Sequence, residues 1–214
     1  MFKDRKQAGM QLATAIAHER LKNPIVLGIP RGGVVLAAEV AKRLDCELDI
    51  ALVRKIGMPD NPETALGAVG EKGDVIWNLP PNHEDLPKGY AMDAMRRELG
   101  LLRERRELYA HGHSLPSLHE RPVIVVDDGI ATGATMMTAL RLVRKQQPSE
   151  LIVAAAVCPR MMARQLGTIA DRVILIESPE DLSAIGMYFE DFAPVDDLEI
   201  AAILKTAYRH ASHA

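Results

Sequence analysis

Aromatic side chains are scarce in this chain: Phe, Tyr and Trp together make up 4% of its 214 residues, with one Trp. There is no apolar run long enough to span a bilayer and no signal-peptide pattern at the start, which predicts a cytoplasmic protein rather than a membrane or exported one. Cysteine is nearly absent. Cys46 and Cys158 sit in or beside apolar segments without metal-ligand spacing, so they read as reduced packing residues. The net charge of −3 gives no global pull toward nucleic acid. No internal repeat or low-complexity segment occurs. What remains is an ordinary soluble balance, 48% apolar and 26% charged, in a chain long enough for one good core and at most a small appended lobe.

The most informative stretch is Val123–Met136, which reads VIVVDDGIATGATM. Val123 to Val126 form an apolar run short enough for a buried parallel strand. Asp127 and Asp128 follow at once, then the small-residue turn Gly129-Ile130-Ala131-Thr132-Gly133, then a helical pattern from about Ala134 to Lys145. Unpaired N–H groups at a helix start favour an anion, and the hydroxyls of Thr132 and Thr135 add donors. Two acids beside a phosphate cradle are costly unless they accept hydrogen bonds from sugar hydroxyls, with a cation offsetting charge nearby. The stretch therefore asks for a ribose phosphate. It is neither a Walker A loop, since no Lys follows Gly133, nor a GxGxxG turn.

A second strand–turn–helix unit runs from Pro24–Ile29 through Pro30-Arg31-Gly32-Gly33 into a helix over Val34–Leu44, with glycines where the backbone must approach something closely. Arg31 is either an anion contact or a solvated loop cation. Before this unit, Asp4 can cap a helix that turns Ala8, Leu12 and Ile16 to one side. After it, Leu48–Val53 reads as a strand, and Arg54-Lys55 opens a loop rich in Gly, Pro, Asp and Asn that runs through Glu63 and Thr64 and reads as mobile. Ala65–Val69 and Val75–Trp77 predict a hairpin. From Pro87 to Tyr109 the pattern is helical, with an apolar stripe of Met92, Met95, Leu99, Leu102 and Tyr109 that Arg106 interrupts. The other arginines of this helix alternate with glutamates, as on a solvated face laced by ion pairs. Leu151–Val157 and Val173–Ile176 read as further strands, Met161–Leu166 as a short helix, and a final helix follows Asp196-Asp197. The alternation predicts an α/β fold, a doubly wound parallel sheet, with both glycine turns at its carboxyl edge where such folds bind ligands. One domain, 1–214, is expected, with 70–118 as an insertion or hood and 186–214 as a tail packed on the core.

The strand, acidic pair and T-G-x-T turn of Val123–Thr135 resemble the phosphoribosyl diphosphate (PRPP) signature of type I phosphoribosyltransferases. The loop at Arg31-Gly32 and the Arg54-Lys55 pair appear in that family's order. The resemblance implies the same sheet with a small hood. It implies that Ala131, Thr132, Gly133, Ala134 and Thr135 take the 5-phosphate and that Asp127 and Asp128 take the ribose hydroxyls. Arg31, Gly32 and Gly33, with Arg54 and Lys55, would face the departing diphosphate, and the peptide bond Pro30–Arg31 would be cis. Mg²⁺ would be held mainly by substrate oxygens and water, with Asp127 or Asp128 as candidates to reach it through water. In 6-oxopurine members an Asp in this turn serves as general base; here that position is Ala131, which speaks against hypoxanthine or guanine transfer by that route. Glu63 is then the candidate base. Tyr188, Phe189 and Phe192 fall within five positions and either stack on a nucleobase acceptor or plug the end of the sheet.

The function expected is Mg²⁺-dependent transfer of the 5-phosphoribosyl group from PRPP to a nitrogenous acceptor, a purine base among the options. The alternative is a regulator that senses PRPP without turnover, since this fold and ligand site alone do not decide between the two. By resemblance, and from the apolar stripe at 92–109, a homodimer is expected, with neither membrane nor nucleic acid as partner.

Overall fold

Five segments of four to eight residues form the central sheet of the computed structural model, which describes residues 1–59, 64–78, 86–110 and 113–211. They are β1 (Ile25–Gly28), β2 (Glu47–Ile50), β6 (Pro122–Gly129), β7 (Glu150–Val157) and β8 (Arg172–Glu177), all parallel in the order β2-β1-β6-β7-β8. A parallel sheet must be covered on both faces, so its strands read as continuous apolar runs. Alternation nevertheless sorts the side chains. Val26, Ile124, Val126, Ile152 and Ala154 face one core, with α1 (Arg5–Ala17), α2 (Gly32–Leu44), α3 (Tyr90–Ala110) and α6 (Asp197–Ala211). Ile25, Leu27, Val123, Val125, Leu151 and Val153 face the other, with α4 (Ala134–Lys145) and α5 (Arg160–Leu166). The fold is the expected doubly wound α/β sheet. No helix among the described residues is long and apolar enough to cross a membrane.

Asp4 caps α1, its Oδ1 accepting the Gln7 N–H at 2.7 Å, and Ala8, Leu12 and Ile16 are buried as the spacing predicts. Asp196 does the same for α6, accepting the Glu199 N–H at 2.8 Å. The other aspartate, Asp197, instead accepts a hydrogen bond from the Tyr109 hydroxyl at 2.6 Å.

The segment Leu48–Val53 departs from expectation. It is not one strand. β2 ends at Ile50, and after Ala51-Leu52 the chain leaves the parallel sheet and starts β3 (Val53–Gly57). β3 pairs antiparallel with β4 (Ala65–Gly70), and β4 with β5 (Val75–Trp77), the expected hairpin. The break hides in the sequence because Ile50-Ala51-Leu52-Val53 is unbroken apolar residues with no turn signal. Arg54 and Lys55 therefore lie within a strand, opposite Val69 and Ala68, rather than opening a loop. The small three-stranded sheet, in the order β3-β4-β5, begins at Val53.

The stripe of α3 is also shifted. Met92 is exposed, while Ala94, Leu102, Tyr109 and Ala110 are buried and Arg106 is buried with them. Arg106 does not interrupt the packed face. Its guanidinium donates to both carboxylate oxygens of Glu71, at 2.5 and 2.6 Å, and to Asp49 Oδ1 at 2.5 Å. The Tyr208 hydroxyl reaches the same Asp49 oxygen at 3.0 Å. One cluster thus ties β2, the turn after β4, α3 and α6 together. Burial, partly offset by Arg106, pushes the Asp49 and Glu71 carboxyls above the usual carboxylate range.

Candidate active site

Strands β1 and β6 lie side by side, with Gly28 opposite Val126, and each runs into a tight turn and a helix at the carboxyl edge of the sheet. From β1 the chain crosses to β2 on one side, and from β6 it crosses to β7 on the other. The two therefore flank the switch point, where an open α/β sheet leaves a crevice. Neither following helix has a side-chain cap: α2 starts after Arg31 and α4 after Gly133, and neither capping residue makes a side-chain hydrogen bond. Their first N–H groups are thus presented to the crevice from two directions. Gly133 stands at φ +70°, in the left-handed region, and the space its Cβ would fill is taken by Met162 Sδ. Beside it Ala131, Thr132, Ala134 and Thr135 are exposed. The Pro30–Arg31 peptide bond is cis, as the resemblance implied.

Gly33 lies against the end of β6. A Cβ there would come within 2.6 Å of the Val126 carbonyl oxygen and 2.8 Å of Asp127 Cα. The turn after β1 can therefore sit over the acidic pair only without a side chain at this position. The pleat turns Asp127 and Asp128 to opposite sides of β6. Asp128 leans toward the face of α1 and α2 and is nearly buried. There Arg5 Nε donates to its Oδ2 at 2.7 Å. Asp127 is half-buried, and its Oδ1 accepts the Asp128 N–H at 2.9 Å. Burial first, then the neighbouring Asp128 charge, raise the Asp127 carboxyl well above the usual range. Among the described residues no three His, Cys, Asp or Glu side chains gather as a metal cage. Two adjacent acids, one already engaged by Arg5, suit a hard cation held chiefly through water and ligand oxygens.

Residues 2–186 match the phosphoribosyl transferase domain family. The chain belongs to that family. Two proteins of Mycobacterium tuberculosis, from strains CDC 1551 / Oshkosh and H37Rv and provisionally named as phosphoribosyl transferases, are 37% identical to it over 220 residues. All of this chain is covered but 48% of theirs, so the chain spans about half the length of the curated relatives it matches. A crystal structure from Thermus thermophilus is 43% identical, covers 95% of this chain and 97% of that one, and superposes with a TM-score of 0.83. A structure from Aquifex aeolicus, 14% identical with a TM-score of 0.50 and coverage of 94% and 84%, shares the fold alone.

Within this phosphoribosyl transferase fold, the Arg31-Gly32-Gly33 turn packs on the acidic pair, Gly32 against Asp128 and Gly33 against Asp127, and the turn 131–135 follows at the end of the same strand. Arg54 pairs through its Nε with Glu98 on α3, while Lys55 is exposed on the next position of β3. Glu63 lies outside the described residues. Of the three tail aromatics, Phe189 is buried. Its ring packs against Phe2 at 5.1 Å and Phe192 at 4.9 Å between centroids, within the same core as α1 and α2. Phe192 lies under the Arg5 guanidinium, 3.8 Å from its carbon to the ring centroid, and Tyr188 is half-buried. Sequence reasoning missed Arg5 entirely. Its place in the first turn after an N-cap marks it only as an ordinary helix residue, and nothing local links it to Asp128, 123 positions on.

Proposed function

We propose that this chain transfers the 5-phosphoribosyl group of PRPP to a nitrogenous acceptor, a purine base among the candidates, and releases diphosphate. In that reaction the C1–O bond of the ribose breaks, a C1–N bond forms, and the acceptor nitrogen gives up its proton. Positive charge develops on the sugar, as in the oxocarbenium-like transition states of glycoside hydrolysis. The observation that carries the reading is the meeting, at adjacent strand ends, of two helix starts without side-chain caps and a pair of adjacent carboxylates. One set of donors suits each end of PRPP, and the acids suit the hydroxyls between them.

In this reading the amides of 131–135 and the hydroxyls of Thr132 and Thr135 grip the 5-phosphate. Asp127 and Asp128 accept from the ribose hydroxyls and hold C1 in register with the acceptor. Arg31 and the amides of Gly32 and Gly33 receive the diphosphate, with Lys55, and with Arg54 once it exchanges Glu98 for the ligand. Mg²⁺ would be held by substrate oxygens and water beside Asp127 or Asp128, and it would offset the charge gathering on the leaving group. Incubation with PRPP, Mg²⁺ and a panel of bases tests the proposal. Diphosphate release that depends on the base is expected. Release without any base would replace transfer by hydrolysis, and PRPP binding without turnover would replace it by sensing.

A further inference from the structure

We propose that Arg5 is a positioning residue for this site, fixing the Asp128 carboxylate for the sugar hydroxyls. The inference rests on the phosphoribosyl reading above. Three contacts hold the guanidinium, one from the end of β6 and two from the adjacent residues Phe192 and Ala193. Nε donates to Asp128 Oδ2 at 2.7 Å, one terminal nitrogen donates to the Ala193 carbonyl at 2.7 Å, and the flat face lies on the Phe192 ring. A side chain fixed at its head, its rim and its face has little rotamer freedom left to lose when a ligand arrives.

The backbone that delivers Arg5 is fixed as well. Phe2 N–H donates to the Tyr188 carbonyl at 2.7 Å, Glu190 N–H to the Phe2 carbonyl at 2.8 Å, and Asp191 N–H to the Lys3 carbonyl at 3.0 Å. Phe2 and Phe189 form a parallel bridge whose rings also touch. The first residues and the segment 188–193 are therefore one zipped unit, and it places Arg5 against the acidic pair.

Gly32 supplies an independent argument. Its φ is not in the left-handed region, so its conformation does not demand glycine. A Cβ at this position would run into Asp128 Oδ2 and come within 2.9 Å of Arg5 Nε. The turn after β1 omits a side chain there because the Arg5–Asp128 pair occupies the space. The ion pair thus lies where the proposed diphosphate turn and the proposed sugar acids touch. A carboxylate has about four lone-pair sites, and Arg5 takes one of them on Oδ2. The rest of that carboxylate is then pre-oriented for a hydroxyl, and the guanidinium keeps one positive charge beside two acids before any cation or ligand binds.

The test compares ribose 5-phosphate with inorganic phosphate, by NMR or calorimetric titration at about 0.15 M salt, where long-range charge effects are screened beyond about 8 Å. The variants are Arg5→Lys, Arg5→Met, Asp128→Asn and the double variant Arg5→Met/Asp128→Asn. The wild type binds ribose 5-phosphate more tightly than phosphate. Both Arg5 variants lose about tenfold in that preference, the size expected for one charge-assisted hydrogen bond. Arg5→Lys keeps its phosphate affinity within about twofold because it keeps the charge. The double variant loses no more sugar preference than Asp128→Asn alone, since the two residues act through one contact. Arg5 variants that keep the preference overturn the proposal, as do variants that lose both ligands in proportion, which is what a purely structural residue would do. A wild type that binds neither ligand sinks the phosphoribosyl reading itself. Wild-type binding with unaltered Arg5 variants sinks only the role of Arg5.

Discussion

Two arginines, each on a helix far in sequence from its partner, meet an aspartate at the carboxyl end of a parallel strand. Arg106 meets Asp49 in β2, and Arg5 meets Asp128 in β6. The surroundings separate them. Asp49 is fully enclosed: Arg106 and Tyr208 both reach its Oδ1, Glu71 takes the other edge of the guanidinium, and Asp49 Oδ2 has no hydrogen-bond partner among the described residues. Asp128 has one strong partner and a second acid beside it, at a crevice bordered by two helix starts without side-chain caps. The same ion-pair chemistry ties the turn after β4, α3 and α6 to β2 in one place, and on the proposal above it prepares a carboxylate for a ligand in the other. What distinguishes the two is enclosure: Asp49 is sealed within the core, while Asp128 stands at the end of its strand beside Asp127.

Removing one partner of the closed cluster should have the largest effect. Arg106→Leu leaves Asp49 and Glu71 buried without their cation, and we expect a loss of about 3–5 kcal/mol in urea denaturation. A loss below about 1 kcal/mol would mean that the acids relax to water and the cluster is not sealed. Gly33→Ala comes next, at the open cluster. Its new methyl would press on Val126 and Asp127 backbone, so about 1–3 kcal/mol is expected together with weaker binding of ribose 5-phosphate. Unchanged binding would show that the turn after β1 does not depend on its fit against β6. Arg5→Met should cost only about 1 kcal/mol, because Asp128 can regain water at the mouth. Its main effect belongs to the ligand, and a stability loss as large as that of Arg106→Leu would erase the contrast between the two clusters. Gly100→Ala, in the interior of α3 with nothing within 4 Å of the added Cβ, should have the opposite sign, a gain of about 0.5–1 kcal/mol. Away from both clusters, burial pushes the thiols of Cys46 and Cys158 up to about 12 and about 11. A thiol with a raised value stays protonated until the pH approaches it, so alkylation at pH 8 should be slow for both and should accelerate only in strong alkali. Fast labelling at pH 8 would show these segments opening.

The parts legible in the sequence are those whose signal is local. An apolar run followed by Gly and Thr marks β6 and the start of α4, and the first-turn spacing marks α1 with Asp4 as its cap. The strand pair β4–β5 is equally plain, since a polar Gly-containing turn separates two short apolar runs. What escapes is non-local or unpunctuated. The passage from β2 to β3 carries no turn residue, so two strands in different sheets read as one, and Arg54-Lys55 reads as the start of a loop. Arg106 reads as a flaw in an apolar stripe, because its partners Asp49 and Glu71 lie 57 and 35 positions away. Phe189 is neither core nor site until Phe2, from the other end of the chain, is seen against it. Arg5 carries no signal at all for the same reason.

The central claim is that one crevice, between the ends of β1 and β6, binds PRPP through amides, hydroxyls and a carboxylate pair. The most direct measurement is a calorimetric titration of the protein with PRPP in the presence of Mg²⁺, repeated on the double variant Asp127→Asn/Asp128→Asn. We predict one saturable site in the wild type and at least about a hundredfold weaker binding in the double variant, two charge-assisted hydrogen bonds having been lost. A wild type that shows no saturable binding, or a double variant that binds PRPP as tightly as the wild type, would contradict it.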